Sequence, residues 1–392
     1  MSCITPSEYT QVIVRKEVVD FCVRCMEKVS VCHSHSESLA NVLVAGDYRG
    51  HYSHGLNRLE MYVADIQKGV CVYNKEPVII KETVSTALVN GENLLGPVVG
   101  NFAMELAIKK ARSTGIGWVA ANGSNHYGIA GWYSLMAAKE GLIGMSFTNT
   151  SPLVYPTRSK GIRLVALFCG EPLQRLPLLS VRCTLCTRQN CSRLNVKLIT
   201  SNKANMSCIT PSEYTQVIVR KEVVDFCVRC MEKVSVCHSH SESLANVLVA
   251  GDYRGHYSHG LNRLEMYVAD IQKGVCVYNK EPVIIKETVS TALVNGENLL
   301  GPVVGNFAME LAIKKARSTG IGWVAANGSN HYGIAGWYSL MAAKEGLIGM
   351  SFTNTSPLVY PTRSKGRALG TNPLTVAAPS SKPGDECIRD RL

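Results

Sequence analysis

Several features that would assign this 392-residue chain to a specialised class of protein are missing from its sequence. It has no uninterrupted run of about 18 apolar residues, so no membrane-spanning helix is predicted. The stretch from Met1 to Glu17 has no apolar core of the kind that secretory signals carry, which predicts a cytoplasmic protein. No Gly-x-Gly-x-x-Gly follows a predicted strand, so a Rossmann dinucleotide site has no support.

The dominant feature that is present is an internal duplication. Residues 1–161 reappear without a difference as residues 206–366. Such a repeat is domain-sized, because solenoid repeats run to about 20–50 residues. We therefore expect three parts: copy one (residues 1–161), a spacer (162–205) and copy two (206–392), which continues past the repeat. With 46% hydrophobic residues, the chain can build two sizeable cores.

The net charge of +11 is concentrated in the spacer. Each copy of the repeat has 15 Lys and Arg against 13 Asp and Glu, whereas the spacer has 7 against 1. Nucleic-acid binding is therefore not predicted for the copies. The spacer has Cys183, Cys186 and Cys191 close together, but a fourth zinc ligand is missing nearby in the sequence, so no metal site is predicted. A zinc-binding or nucleic-acid-binding adaptor that acts through the spacer is an alternative.

The repeated cysteines favour free thiols. Five of the 15 cysteines lie in each copy of the repeat, and Cys22 and Cys25 fall within a predicted helix. A free cysteine in such a position behaves as a small apolar residue.

Within each copy, apolar periodicity predicts alternating helices and short strands. The predicted helices of copy one are 7–28, 36–46 with preceding Ser and His residues as caps, 56–68, a helix that starts near Val99 and stops at Gly115, and 129–140. Strands are predicted within 77–95, at 116–121 and at 142–148. This order indicates an α/β fold. Ligands usually bind at the carboxyl ends of strands in such folds, which here are the loops 122–128 and 149–152.

Two segments carry residues suited to oxidising a 2-hydroxy acid. That reaction needs a base for the hydroxyl proton and a cation for the carboxylate, tasks that histidine and arginine suit. The segment 49–58 holds Ser53, His54 and Arg58 at the start of a predicted helix. The same residues are equally consistent with a polar loop in which Ser53 and His51 cap the helix. In the segment 124–128, His126 is either a second site residue or a structural histidine.

Four segments in order resemble the signatures of the malate/L-lactate dehydrogenase family, which includes sulfolactate and ureidoglycolate dehydrogenases. They are Arg49-Gly50-His51-Tyr52-Ser53-His54-Gly55-Leu56-Asn57-Arg58-Leu59, Ser124-Asn125-His126-Tyr127-Gly128-Ile129-Ala130-Gly131, Thr148-Asn149-Thr150-Ser151-Pro152 and, in copy two only, Leu369-Gly370-Thr371-Asn372-Pro373. The resemblance covers about residues 2–161 and 207–384. It implies a mixed-sheet, non-Rossmann dehydrogenase fold, present here as two partial copies.

The resemblance also implies an activity. Family members transfer a hydride between NAD or NADP, bound as a loose co-substrate, and a small 2-hydroxy or 2-keto acid such as malate or lactate. They work as homodimers. In this chain, the linker between the two copies is long enough for the copies to form a pseudo-dimer instead.

Site residues follow from the resemblance, residue by residue. His54 with Ser53 matches an acid/base pair and His126 a second histidine over the reacting carbon, and which histidine is catalytic stays open. Arg58 and Tyr62 match positions near the substrate carboxylate, and Thr150 matches a cofactor-proximal position. The corresponding residues of copy two, with a cofactor-proximal turn found only there, are Ser258, His259, His331, Arg263, Tyr267, Thr355, Gly370, Thr371 and Asn372.

The chain departs from the family because each copy lacks the later half of a family member, including an aspartate loop for the cofactor. Asp390 lies near that position but is followed by Arg391 and Leu392. We therefore expect unpaired strand edges and exposed apolar faces. The alternative to an active enzyme is a truncated, inactive homologue or a gene-model fusion in which translated non-coding sequence joins a duplicated block. Sequencing the transcript separates these possibilities.

Overall fold

The structure is a computed structural model that describes residues 13–148, 197–199, 217–360, 365–379 and 386–391. The chain divides into two units, Met1–Leu179 and Ser180–Leu392, each of which contains one copy. Each unit combines helices with a small mixed sheet, which is the α/β class expected from the sequence. In the described ranges, no helix is both long and apolar enough to cross a membrane.

The first unit alternates helices and strands. Its elements are α1 (Arg15–Glu27), α2 (His33–Tyr48), two 3-10 turns (Tyr52–His54 and Leu56–Arg58), α3 (Leu59–Gln67), β1 (Val78–Glu82), β2 (Thr86–Leu94), α4 (Gly96–Thr114), β3 (Trp118–Ser124) and α5 (Ala130–Lys139). Strand β2 lies between β1, to which it is antiparallel, and β3, to which it is parallel. Helix α4 connects the two parallel strands, and it ends at Gly115, whose φ of 87° is accessible to glycine at low cost.

The core of the first unit lies where α1, α2 and α3 meet the start of α4. Its buried residues are Met26, Val31, Leu39, Leu43, Tyr62, Ile66, Cys71, Leu95 and Val98. Full burial of each large apolar side chain stabilises the fold by about 1.5–3 kcal/mol relative to exposure. This core fixes the start of α3 against the end of β2, which is where the candidate site lies.

The second unit repeats these elements and then extends them. Its elements are β4 (Lys197–Ile199), β5 (Val217–Val219), α6 (Arg220–Glu232), α7 (His238–Tyr253), two 3-10 turns (Tyr257–His259 and Leu261–Arg263), α8 (Leu264–Gln272), β6 (Val283–Glu287), β7 (Thr291–Leu299), α9 (Gly301–Thr319), β8 (Trp323–Ser329), α10 (Ala335–Lys344), β9 (Gly349–Phe352), β10 (Leu374–Pro379) and β11 (Glu386–Arg391). Strands β6, β7 and β8 form one sheet, and β9, β10 and β11 form an antiparallel sheet with β10 in the middle.

The strand predicted at 142–148 is wrong for copy one and confirmed for copy two. In copy two the same sequence forms β9, which pairs along its length with β10. Strand β10 lies beyond the repeated sequence, so copy one does not encode it at this position. A strand needs a neighbour to satisfy its backbone N–H and C=O groups, which explains why identical residues differ between the copies. Strands β8 and β9 belong to different sheets.

Three helix predictions need correction. Helix α1 begins at Arg15, and residues 7–12 of the predicted helix lie outside the described residues. Helix α2 begins at His33, so the Ser and His residues predicted as caps lie within it, and no side chain caps it. The helix predicted at 56–68 is divided into a 3-10 turn and α3.

The cysteines of the repeat are free thiols wherever the structure describes them. Cys22 and Cys71 are buried, and burial raises the pKa of each thiol to about 11, so both are protonated at neutral pH. The cysteines of the spacer lie outside the described residues.

Candidate functional site

The segment between α2 and α3 is held as a defined turn. The backbone N–H of Leu56 donates to Oδ2 of Asp47 at 2.9 Å, and Nε of Arg58 donates to the carbonyl oxygen of Ser53 at 2.8 Å. Neither Ser53 nor His51 caps α3, because Arg58 occupies the N-cap position of this helix and no side chain forms a capping hydrogen bond there. The capping interpretation of this polar segment is therefore wrong.

The loop that carries His126 is fixed against the end of β2. The side-chain amide of Asn125 donates to the carbonyl oxygens of Asn93 and Leu94, at 2.7 and 3.2 Å. Gly96 begins α4 directly beneath the loop, where a Cβ would overlap the carbonyl oxygens of Asn125 and His126. The absence of a side chain at Gly96 thus lets the loop approach the helix.

These two segments bring the predicted histidines together. The rings of His54 and His126 stack with centroids 5.4 Å apart and an interplanar angle of 24°. The equivalent rings in copy two, His259 and His331, stack at 5.3 Å and 25°. Oγ of Ser53 lies 2.8 Å from Nδ1 of His54, as expected for a Ser/His pair.

Tyr62 is buried behind this pair and holds His126. Its hydroxyl lies 2.5 Å from Nδ1 of His126 and 3.2 Å from the carbonyl oxygen of the same residue. A phenol has one proton, so both contacts form together when the hydroxyl donates to the carbonyl and Nδ1–H donates to the hydroxyl oxygen. This network assigns the proton to Nδ1 and leaves a lone pair on Nε2 of His126. Copy two repeats the arrangement with Tyr267 and His331, at 2.6 and 3.1 Å.

The surroundings of the histidines favour their neutral forms. Burial lowers the pKa of His126, and the nearby His54 and Arg58 lower it further. In copy two, burial lowers the pKa of His331 to about 4, with additional lowering by His259 and Arg263. Burial and Arg263 also lower the pKa of His259. A neutral histidine at physiological pH can accept a proton.

Arg58 is oriented by its Nε, which donates to the carbonyl oxygen of Ser53. In copy two, Nη1 of Arg263 also lies 4.0 Å from Sδ of Met266. Over the described ranges, no carboxylate forms an ion pair with Arg58 or Arg263. A guanidinium in this state can bind a carboxylate through paired hydrogen bonds. The structure therefore places a guanidinium beside the histidine pair. The hydroxyl of Tyr62 contacts His126, whereas the family resemblance implies that Tyr62 lies near the substrate carboxylate.

The residues of copy two that match cofactor-proximal positions of the family lie together, with Thr371 and Asn372 exposed and Thr355 and Gly370 half-buried. The backbone N–H of Thr355 donates to Oδ1 of Asn372 at 2.9 Å, and that of Thr371 donates to Oγ1 of Thr355 at 2.8 Å. Gly370 packs so closely that a Cβ would overlap Thr355 and Asn372. Thr150, the counterpart of Thr355, lies outside the described residues. Within the part of the chain that the structure covers, no group of three or more His, Cys, Asp or Glu side chains is arranged to hold a metal ion.

Sequence reasoning missed three residues that build the site: Asp47, Gly96 and Asn125. Asn125 stands in a segment that the sequence singled out, but its bonds reach residues about 30 positions away. Only the pairing of β2 with β3 brings those positions together. Asp47 accepts a hydrogen bond from Leu56, nine residues further along the chain, and no sequence pattern indicates a contact at this spacing.

Comparison with known proteins places both copies in one family. The family model described as malate/L-lactate dehydrogenase matches residues 13–165 and 218–390. A malate dehydrogenase of Pyrococcus abyssi is 48% identical over 163 residues, which are 42% of this chain and 45% of that protein. A malate/(S)-sulfolactate dehydrogenase of Methanothermus fervidus is 42% identical, over 42% of this chain and 49% of that protein. A ureidoglycolate dehydrogenase (NAD(+)) of Escherichia coli is 37% identical, over 38% of this chain and 42% of that protein.

The extent of these matches is limited. The chain spans about half the length of the curated relatives it matches. Among solved structures, malate dehydrogenase from Pyrococcus horikoshii is 46% identical and superimposes with a TM-score of 0.43, over 44% of this chain and 49% of that one.

Proposed function

Because this chain belongs to the malate/L-lactate dehydrogenase family, we propose that it is an oxidoreductase that interconverts a small 2-hydroxy acid, such as malate or lactate, and its 2-keto acid with NAD or NADP. The observation that carries this proposal is the stacked pair of His259 and His331 beside Arg263. The pair offers a proton acceptor, and the guanidinium offers a group for the substrate carboxylate.

Copy two is the unit to which we assign the activity. It contains the Gly370-Thr371-Asn372 turn against Thr355, whereas copy one continues from Gly161 into the spacer. Thr371 and Asn372 of this turn are exposed and carry a hydroxyl and an amide group, which fits the hydrogen bonds that a dinucleotide's phosphate or carboxamide groups accept. Thr355, Gly370, Thr371 and Asn372 would hold the cofactor. A bound nicotinamide would supply the acceptor for the hydride.

The residues of copy two divide the remaining work. Arg263 binds the carboxylate of the hydroxy acid through its terminal nitrogens. Nε2 of His331 takes the hydroxyl proton as the carbon-bound hydrogen leaves as hydride, so that the 2-keto acid forms. Tyr267 holds Nδ1 of His331 and thereby keeps the accepting lone pair on Nε2. Ser258 orients His259 by the contact to its Nδ1 at 2.8 Å.

An absorbance assay of the reduced cofactor tests the proposal. The purified full chain is given malate, lactate, sulfolactate or ureidoglycolate with NAD, and separately with NADP, and the corresponding keto acids are given with the reduced cofactors. Saturable turnover with at least one acid supports the proposal. Folded protein at micromolar concentration that turns over none of them is the inactive homologue instead, with folding checked by circular dichroism.

The assembly of the two copies is a second part of the proposal. Since the resemblance implies a homodimer, we propose that two chains associate in the cytoplasm, with an intrachain pseudo-dimer as the alternative. Light scattering that gives the mass of two chains supports the homodimer. A mass of one chain contradicts it.

A further inference from the structure

The pairing of β7 with β8 is irregular near the end of β7, with a shift in register between Asn295 and Leu299. Within this irregular stretch, Glu297 and Asn298 have φ angles of 50° and 59°, in the left-handed region. Few residues other than glycine adopt this region at low cost, and asparagine is one of them. The backbone conformation therefore favours asparagine at position 298.

Asn298 links the end of β7 to the loop that carries His331. The carbonyl oxygen and Oδ1 of Asn298 lie 2.7 and 3.1 Å from Nδ2 of Asn330, which donates to them. Nδ2 of Asn330 also donates to the carbonyl oxygen of Leu299 at 3.1 Å. Because Asn330 directly precedes His331, these bonds fix the backbone from which the histidine side chain extends.

Asn298 also bonds to the segment that follows α8. Its Nδ2 donates to the carbonyl oxygen of Val275 at 2.7 Å. The backbone N–H of Val275 in turn donates to the carbonyl oxygen of Asp270 in α8 at 2.9 Å. Helix α8 carries Tyr267, whose hydroxyl contacts His331. The side chain of Asn298 therefore joins the two parts of the fold that bring Tyr267 and His331 together.

We propose that Asn298 is a positioning residue that acts through Asn330 to hold His331 against Tyr267. This inference rests on the proposed function, in which Nε2 of His331 takes the hydroxyl proton of the substrate. A displacement of about 1 Å at a reacting group can lower a rate by roughly 100-fold, so a small movement of the loop is enough to affect turnover.

Substitution of Asn298 by glycine removes the side-chain bonds with little other change. Asn298 is exposed, so Asn298→Gly opens no cavity in the core, and glycine keeps both the left-handed backbone and the carbonyl oxygen. We expect kcat to fall by about tenfold and KM to stay within about twofold, because the loop carries the proton acceptor whereas Arg263 binds the carboxylate. Steady-state kinetics of the full chain measure both constants.

The titration of His331 gives a second readout, which a simple loss of stability does not change. Burial lowers the pKa of His331 to about 4. A loosened loop admits water to the imidazole, so we expect this pKa to rise by about 1 in Asn298→Gly. NMR of the full chain without substrate measures the titration, and the signal of His331 is the one that His331→Gln removes.

Asn279→Gly is the matched control in the same copy. Asn279 is also exposed and has a φ of 58°. Its Nδ2 donates to the carbonyl oxygen of Ser235 at 2.8 Å, and its Oδ1 accepts from the backbone N–H of Cys237 at 2.7 Å. These bonds lie just before α7 and involve no residue of the loop. We expect Asn279→Gly to leave kcat within about twofold and the pKa of His331 unchanged.

A double variant tests the route through Asn330. Asn330→Leu removes the side-chain bonds of the loop, so adding Asn298→Gly to it should lower kcat by no more than about a further twofold. Fully additive effects overturn the proposal, as does Asn298→Gly with unchanged kcat and unchanged His331 titration, or an equal effect of Asn279→Gly. If the unsubstituted chain turns over no acid, the proposed function fails, and the titration alone then decides whether Asn298 positions His331.

Discussion

The chemistry of the candidate site depends on which nitrogen of a histidine carries the proton. The phenol of Tyr62 or Tyr267 satisfies both of its contacts only when Nδ1–H of the histidine donates to it. This leaves Nε2 as the accepting atom. The same histidine has a lowered pKa, so it is neutral and able to accept a proton at physiological pH.

Substituting the tyrosine separates a positioning role from a role in binding the carboxylate. Tyr267→Phe keeps the buried ring but removes the contact to Nδ1, so we expect kcat to fall by about tenfold with little change in KM. Steady-state kinetics measure both constants. A raised KM with unchanged kcat would instead support the carboxylate role implied by the resemblance. Tyr62→Phe makes the same change in copy one and serves as the control.

The lowered pKa values of His126 and His331 predict acid sensitivity. The folded state favours the neutral form of these histidines, since burial lowers the pKa of His126 and lowers that of His331 from the usual 6.5 to about 4. Their contribution to stability is therefore complete above pH 6.5 and is lost as the pH falls towards about 4. Between these pH values, the thermal midpoint of the unsubstituted chain should decrease. The decrease should be smaller, by on the order of a few degrees, in the double variant His126→Gln/His331→Gln. Equal losses in the variant and the unsubstituted chain would contradict the assignment.

Sequence predicted the residues of the site better than their contacts. The segments 49–58 and 124–128 contain residue types that can move a proton or bind a carboxylate, but these types alone left a structural role equally open. The family resemblance selected His54, Arg58 and His126. The contact between Tyr62 and His126 joins positions 64 residues apart, and it depends on the packing of α3 against the end of β2. No local pattern predicts such a contact.

At the scale of elements, the strand at 142–148 shows the limit of local reasoning. Its apolar run predicts a strand in both copies, yet only copy two forms one. The deciding factor is the neighbour β10, which is encoded after the repeat. By contrast, the prediction of a helix ending at Gly115 is confirmed, since a left-handed glycine at a helix end is a local property.

One leucine that is present in both copies measures how much this neighbour stabilises copy two. Leu340 is 3% exposed beneath β10, and its counterpart Leu135 is partly exposed. Leu340→Ala should therefore cost about 3 kcal/mol of unfolding free energy and Leu135→Ala about 1 kcal/mol. Denaturant titration of the two variants measures the difference. Equal costs would show that β10 does not shield α10 in solution.

At the scale of the whole molecule, the repeat was evident from sequence, and so was the family to which both copies belong. Sequence also predicted a mixed α/β fold, which the structure confirms. The division of the chain into two units, Met1–Leu179 and Ser180–Leu392, follows from contacts that no composition reveals. Because the chain spans about half the length of the relatives it matches, the proposed activity depends on which copy carries the residues of the complete site.

The most direct test compares one substitution in two identical sequence contexts. His331→Gln and His126→Gln remove the same side chain from copy two and copy one, and the turnover of a 2-hydroxy acid with NAD or NADP is measured for both full chains. We expect His331→Gln to lower kcat by at least about 100-fold and His126→Gln to leave it within about twofold. Turnover that survives His331→Gln, or that is lost equally in both variants, would contradict the assignment of the active site to copy two.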